Sequence, residues 1–315
     1  MFLCHRLTRG VVLAFALVGC ASRGPSAQPA NPPPAASGTV PAPPPATAAP
    51  KPEPPAPPGA VGCGALGCRL FDTPEAAFSA VLEGQPRVLA VGEAHAQKGT
   101  EGIASSTVRF KEQFLPVLKG RATDLILELM LPDPRCQTQT KAVAKRQKPV
   151  TEPQAETNQD EFTTLARSAL ILKTKPHVLR PNCAELEEVL KAGDGDISVM
   201  LKMIARLTTA LAKPLLDRNA ALPDDKLLLL YGGALHNDLS PREGREEFSF
   251  GPELKAHSGG RYVELDLIVP EFIKDTESWR ALPWYAHFDP QKAPEKTTLF
   301  NPSPGSYVLI FPRTK

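Results

Sequence analysis

The chain has 315 residues, with 36 Lys and Arg against 34 Asp and Glu, six histidines, six cysteines and 35 prolines. A balance this close to neutral excludes a protein that collects nucleic-acid phosphates on a concentrated basic face. The short patch KAVAKRQK at 141–148 reads as a solvated loop or helix face.

The first twenty residues place His5, Arg6 and Arg9 ahead of the apolar run VVLAFALVG, the charge-then-apolar order of a secretory signal. A permanent membrane helix needs about 20 apolar residues, so this run is too short to span. It ends in Leu17-Val18-Gly19-Cys20, which resembles the lipobox of bacterial lipoproteins. That resemblance implies cleavage before Cys20 and diacylation of that cysteine. The partner is then a membrane, and Ala21 after the cysteine implies the outer membrane. Loss of residues 1–19 removes Arg6 and Arg9 and leaves 34 basic against 34 acidic side chains.

Residues 20–59 are dominated by proline and alanine and offer nothing from which to build a core. Proline at this density favours solvated polyproline II at roughly 3.1 Å per residue, which makes the segment a stalk. Residues 60–315 are then long enough for one α/β domain. The four cysteines that remain, Cys63, Cys68, Cys136 and Cys183, form an even set that fits two disulfides in an exported domain. Their pairing stays open. Cys63 with Cys68 would close a small loop, Cys136 with Cys183 would clip the middle of the chain, and a metal site at CGALGC is the competing idea.

The elements of the domain follow from apolar period. FDTPEAAFSAVL (71–82) predicts a helix capped by Asp72 or Thr73, with Pro74 in its first turn. RVLAVGEAH (87–95) is a short apolar run that stops like a buried parallel strand. TVRFKEQFLPVLKG predicts an amphipathic crossover helix with Phe110, Phe114 and Leu118 inward and Gly120 at its end, and DLILELMLP (124–132) a second buried strand. Residues 133–160 are polar and predict an inserted loop or lid. Beyond them come a helix at EFTTLARSALIL, a strand at PHVLRPNC and a helix at CAELEEVLKAG. A long helix over 196–222, with a break near Pro214, and a fourth strand in KLLLLYGGALHND follow. RYVELDLIVPEFI and SYVLIFPRT supply two more strands. The alternation predicts an open, mostly parallel sheet with helices on both faces.

Two strand ends carry a histidine three residues beyond a glycine: Gly92-Glu93-Ala94-His95 and Gly233-Ala234-Leu235-His236. The carboxyl edge of an open parallel sheet is where ligands sit, so the pair predicts a shared site. Glu93 and Glu128 are the acids placed to orient an imidazole or to ligate a metal. Arg109 could hold an anionic group, and Asn237 and Asp238 could hold a water or metal. Glu264 and Asp266 share one side of a strand by two-residue alternation. Tyr231 and Tyr285 are candidate haem ligands beside the two histidines. The cluster Trp279, Trp284 and Tyr285 reads as core packing or as a partner surface.

GEAH at 92–95, LILELM around Glu128 and YGGALH ending at His236 together resemble the superfamily that joins ChaN-like haem-uptake lipoproteins, erythromycin-esterase-type proteins and the TraB and Tiki proteins. The resemblance covers about residues 71–236, and the domain also resembles lipoproteins of deltaproteobacteria. It implies a site at these motifs rather than one chemistry: histidine-activated water opening an ester or lactone, a metal-dependent protease, or haem held without turnover. In the hydrolytic version His95 is the base, oriented by Glu93 or Glu128, and His236 serves the leaving group with Arg109 assisting. In the metal version Glu93, His95, Glu128 and His236 hold a divalent ion. A non-catalytic structural domain is the third expectation. No G-x-S-x-G elbow is present, which argues against an acyl-enzyme serine hydrolase.

Overall fold

The computed structural model describes residues 60–193 and 195–314. The signal, Cys20 and the stalk lie outside the described residues. In chain order the described elements are β1 (Val61–Gly62), β2 (Arg69–Phe71), α1 (Pro74–Val81), β3 (Val88–Glu93), α2 (Ser106–Arg109) and β4 (Ala122–Met130). Next come α3 (Gln137–Thr151), α4 (Asn158–Ile171), β5 (Lys175–Leu179), α5 (Cys183–Lys191), α6 (Ser198–Asn219) and β6 (Leu227–Gly233). The chain closes with α7 (Gly251–His257), β7 (Tyr262–Ile268), α8 (Glu277–Arg280), β8 (Thr297–Ser303) and β9 (Ser306–Ile310).

The strands form one nine-stranded sheet in the order β1-β2-β8-β9-β7-β3-β6-β4-β5. From β9 through β5 every neighbour is parallel, while β8, β2 and β1 join antiparallel at the far end. The α/β class with an open, mostly parallel sheet is therefore present, and the antiparallel end is an addition to the expectation. Its strand β8, TTLFNPS, carries Asn301 and Pro302, which interrupt the apolar run that would advertise a strand.

Side-chain alternation divides the molecule into two cores. Leu89, Val91, Leu127 and Tyr231 face one side, where α1, α4 and the segment after α2 bring Phe78, Phe162, Phe110 and Phe114. Phe78 and Phe114 stack at 4.4 Å between ring centroids. Ala90, Ile126 and Leu230 face the other side, against Val143 of α3, Leu186 of α5, Ile204 of α6 and Leu254 of α7. Helices thus cover both faces, as a sheet buried on both sides requires. A third cluster, with Ile268, Phe300 and Ile310, packs around Trp284, which is 2% exposed; the tail aromatics are core in the main.

Thr73 caps α1 through its side-chain oxygen, which accepts from the Ala76 N–H at 3.2 Å. Helix α6 runs unbroken through Pro214, because that proline is exposed and the bond it forgoes lies on the solvent side. The chief correction concerns 133–160. Most of it is helix α3, although only Val143 and Gln147 of that helix are buried, so no apolar stripe announced it. Contacts from outside hold it in place: Cys136–Cys183 ties its start to α5, Gln139 donates to Glu187 at 3.0 Å, and the Arg146 guanidinium donates to the Leu190 carbonyl. Cys63–Cys68 is the second disulfide, which settles the pairing and removes the metal alternative at CGALGC. Only the turn after α3 acts as a cover. There the Ala155 N–H donates to Ala96 O at 2.9 Å, Lys98 N–H to Pro153 O at 2.9 Å and Asn158 Nδ2 to Ala96 O at 3.1 Å, closing over the loop that carries His95.

Candidate functional site

The carboxyl edge of β3, β6 and β4 does gather the predicted acids and histidines, but as two separate pairs. In the β3–β6 ladder Gly92 lies beside Gly232 and Glu93 beside Gly233. Leu127 and Val91 both lie in the row of Tyr231, so Glu93, two residues past Val91, and Glu128, one past Leu127, point to opposite faces, and His95 and His236, in the loop and turn beyond the strand ends, follow their acids. The matching frames seen in sequence used Gly233, whereas the structural counterpart of Gly92 is Gly232.

On the first face Glu93 is 3% exposed and takes donors on both oxygens. His95 Nδ1 lies 2.8 Å from Oε1, and the Thr107 and Tyr231 hydroxyls donate to Oε2 at 2.8 and 2.6 Å. Burial first, and then the neighbouring Glu93 carboxylate, push the Tyr231 phenol well above its ordinary value, which keeps it a donor. The ring of Phe162 meets His95 edge-on at 5.9 Å. The result is a knot that ties the end of β3 to β6, to α2 and to the covered loop. Thr107 was missed in the sequence, where nothing distinguishes it from a hydroxyl in the first turn of a helix.

Glu128 and His236 meet on the second face. Glu128 Oε2 accepts the Gly233 N–H at 2.6 Å, and its Oε1 lies 3.7 Å from His236 Nε2. The other ring nitrogen, Nδ1, is 2.6 Å from the Phe248 carbonyl oxygen. A carbonyl only accepts, so Nδ1 carries the hydrogen and Nε2 is the basic nitrogen of the neutral ring. Among the described residues Glu128 Oε1 is buried with no hydrogen-bond partner, and so is Asn237 Oδ1. Between these groups lies a cavity walled by Ile126, Ile204, Leu230 and Phe250. It leaves about 10 Å³ for the centre of a water-sized sphere. That is room for roughly one water.

Two glycines make this arrangement possible, for a reason of space rather than of turn geometry. A Cβ on Gly232 would stand 2.5 Å from Glu128 Oε2, and one on Gly92 would stand 2.7 Å from both amide atoms of Asn237. Each glycine is thus a gap in one strand across which a neighbour's polar side chain lies. A sequence signal for this existed in the first glycine of YGG, Gly232, one strand away from an acid inside an apolar run.

Other candidates fall elsewhere. Arg109 is a correction: its Nε donates to Ala104 O and its Nη2 to Thr314 Oγ1, both at 3.0 Å, and the guanidinium lies 5.0 Å from the Phe311 ring centroid. It clasps the C-terminal segment, whose ring and hydroxyl outcompete the cleft for it. Tyr231 as a haem ligand is a second correction, since the phenol is 2% exposed and spent on Glu93. Tyr285 donates to Asp275 on the surface at 3.3 Å. Glu93, His95, Glu128 and His236 do not converge as one ligand set. Among the described residues no three His, Cys, Asp or Glu lie close enough to hold a metal. His95 and His236, 2% and 3% exposed, also present no open face to a haem.

Glu264 and Asp266 share the His236 face, as alternation predicted. Glu264 Oε2 accepts from the Leu239 N–H at 2.9 Å, and Asp266 Oδ1 accepts from Asn237 Nδ2 at 3.0 Å. Burial, with Asp238 adding to it, raises Glu264 to about 7. Asp266 keeps a little exposed surface, yet burial of its carboxyl and the nearby Glu264 hold it well above the carboxylate range.

The fold and site define an α/β protein with a buried Glu–His pair at the carboxyl edge of a parallel sheet. Comparison with protein-family models, curated proteins and solved structures gives no match to this chain. Among the described residues no helix is long and apolar enough to cross a membrane.

Proposed function

We propose that this chain is a lipid-anchored envelope hydrolase in which Glu128 and His236 activate a water against an ester or peptide carbonyl. One observation carries the reading: a Glu128 oxygen without a hydrogen bond among the described residues and His236 Nε2, 3.7 Å apart, both line a cavity sized for about one water. His236 Nε2 takes the proton of the attacking water, and Phe248 fixes the ring by accepting from Nδ1. Glu128 orients the water, its other oxygen pinned by the Gly233 amide. The water oxygen bonds to the carbonyl carbon, the imidazolium returns the proton to the leaving oxygen or nitrogen, and that bond breaks to give acid and alcohol or amine. The anchor rests on the Cys20 lipobox, and the resemblance to esterase-type relatives accords with the same chemistry. In this reading the base is His236 rather than His95, because His95 lies on the other face beneath the turn after α3.

The test is turnover by the full chain in detergent on a panel of chromogenic esters, lactones and peptides, alongside E128Q and H236Q. Each variant should lose about 10²- to 10⁴-fold in kcat/KM. E128Q keeps an acceptor for Gly233 and should stay folded. No turnover by the unaltered chain, or full activity in either variant, would overturn the proposal.

A further inference from the structure

Next to His236 is a side chain whose hydrogen bonds are only half used. Asn237 is 1% exposed and lines the Glu128–His236 cavity. Its Nδ2 lies 3.2 Å from Ala90 O and 3.0 Å from Asp266 Oδ1. Because a backbone carbonyl only accepts, the atom facing Ala90 must be the amide nitrogen, and the orientation of the group follows. Oδ1 is then the atom left over, buried and without a partner. A buried acceptor with its bond unmade is destabilising unless something occupies the place beside it.

The amide is held from every side. It lies over Gly92, where a Cβ would come within 2.7 Å, and the Tyr262 hydroxyl donates to the Asn237 backbone carbonyl at 2.7 Å. Among the described residues Asp266 is the only side chain bonded to the amide nitrogen. The ionisable groups that act on Asp266 are Glu264 on its own strand and Asp238 beyond β6; Lys255 of α7 acts on Glu264, and Arg242 and Arg245 act on Asp238. Among the described residues no cation bears on Asp266 itself, and burial first, then the nearby Glu264, push its carboxyl well above the carboxylate range.

We infer that Asn237 is a third member of the hydrolytic site, its Oδ1 accepting a hydrogen bond from the attacking water, and that Asp266 is the positioning residue that fixes this amide. The inference rests on the hydrolytic reading given above. With Glu128 Oε1 and His236 Nε2 it gives the cavity three acceptors. A water has two hydrogens: one points to His236 Nε2, which takes it as base, and the second is shared between Glu128 Oε1 and Asn237 Oδ1. Asp266 acts here through shape and its hydrogen bond to Nδ2 rather than through charge. Asparagine at 266 presents the same carbonyl oxygen to Nδ2, and alanine presents nothing.

N237A should lower kcat about 10²-fold with KM nearly unchanged. D266A should lower kcat by a similar factor and D266N should restore it, a rescue that a role in charge would not permit. Hydrogen exchange of the Asn237 side-chain amide, followed by NMR on the full chain, supplies a readout that needs no substrate. The amide should be protected in the unaltered protein and in D266N, and exchange fast in D266A. Unaltered kcat in N237A, or D266N as impaired as D266A, overturns the inference while the hydrolase stands. Absent turnover with the exchange pattern intact overturns the hydrolase and the water contact with it, leaving Asp266 only as the anchor of the amide.

Discussion

Glu93 and Glu128 are both buried acids on central strands, and both stand near a histidine, yet they are partnered in opposite ways. Glu93 is saturated: three side-chain donors close on its two oxygens. Glu128 is satisfied on one oxygen and open on the other, with a cavity beside it. A saturated buried carboxylate organises structure, since all its capacity is spent on holding neighbours. A half-satisfied one keeps an unmet demand, and that demand is what a substrate water can meet. Sequence alone cannot separate the two, because each reads as an acid in an apolar run.

The contrast is broken most forcefully at Glu93. E93A strips the acceptor from His95, Thr107 and Tyr231 together, and should cost about 3–5 kcal/mol of unfolding free energy in denaturant titration. E128Q, by contrast, should cost about 1 kcal/mol, since the Gly233 bond survives. A reversed order, with Glu128 dominating stability, would end the distinction between knot and site.

Next in size is G232A. Its Cβ has to displace Glu128 from 2.5 Å, at an expected cost of about 1–3 kcal/mol by thermal or chemical melting. The knot on the other face should be untouched, so the Tyr231 environment, read by its fluorescence or NMR shifts, should match the unaltered protein.

The gentlest probe is pH. Glu264, on the His236 face, has its folded pKa raised from 4.5 to about 7. A raised carboxyl binds its proton more tightly in the folded state, so its contribution is fully present below 4.5 and is lost as pH climbs through about 7. Stability should therefore fall across that window, and E264Q should flatten the fall. An unchanged slope in E264Q would place the pH response elsewhere.

Much of the fold was legible because buried parallel strands are near-continuous apolar runs, as in VLAVGE and LLLLYGG, and because Thr73-Pro74 announces its helix. What escaped has physical causes. Helix α3 is held by a disulfide and by α5 instead of by an apolar face, and Pro214 sits where its missing bond faces water. In the site, the residues and the sheet edge were legible, but their division between two faces was not. That division depends on which glycine of Gly232-Gly233 lies beside Gly92, and register is a property of the sheet rather than of any one segment.

The two ends of the sheet also decide how this domain behaves toward its own copies. An open nine-stranded sheet offers two rows of unpaired backbone groups, each a template for adding a foreign strand. At one end β1 is two residues long, too short a template to recruit a partner. At the other, β5 begins with exposed Lys175 followed by Pro176, a charge and a residue without an N–H to donate. The molecule therefore carries its own protection against edge-to-edge aggregation, a property of value wherever copies of the domain are crowded together.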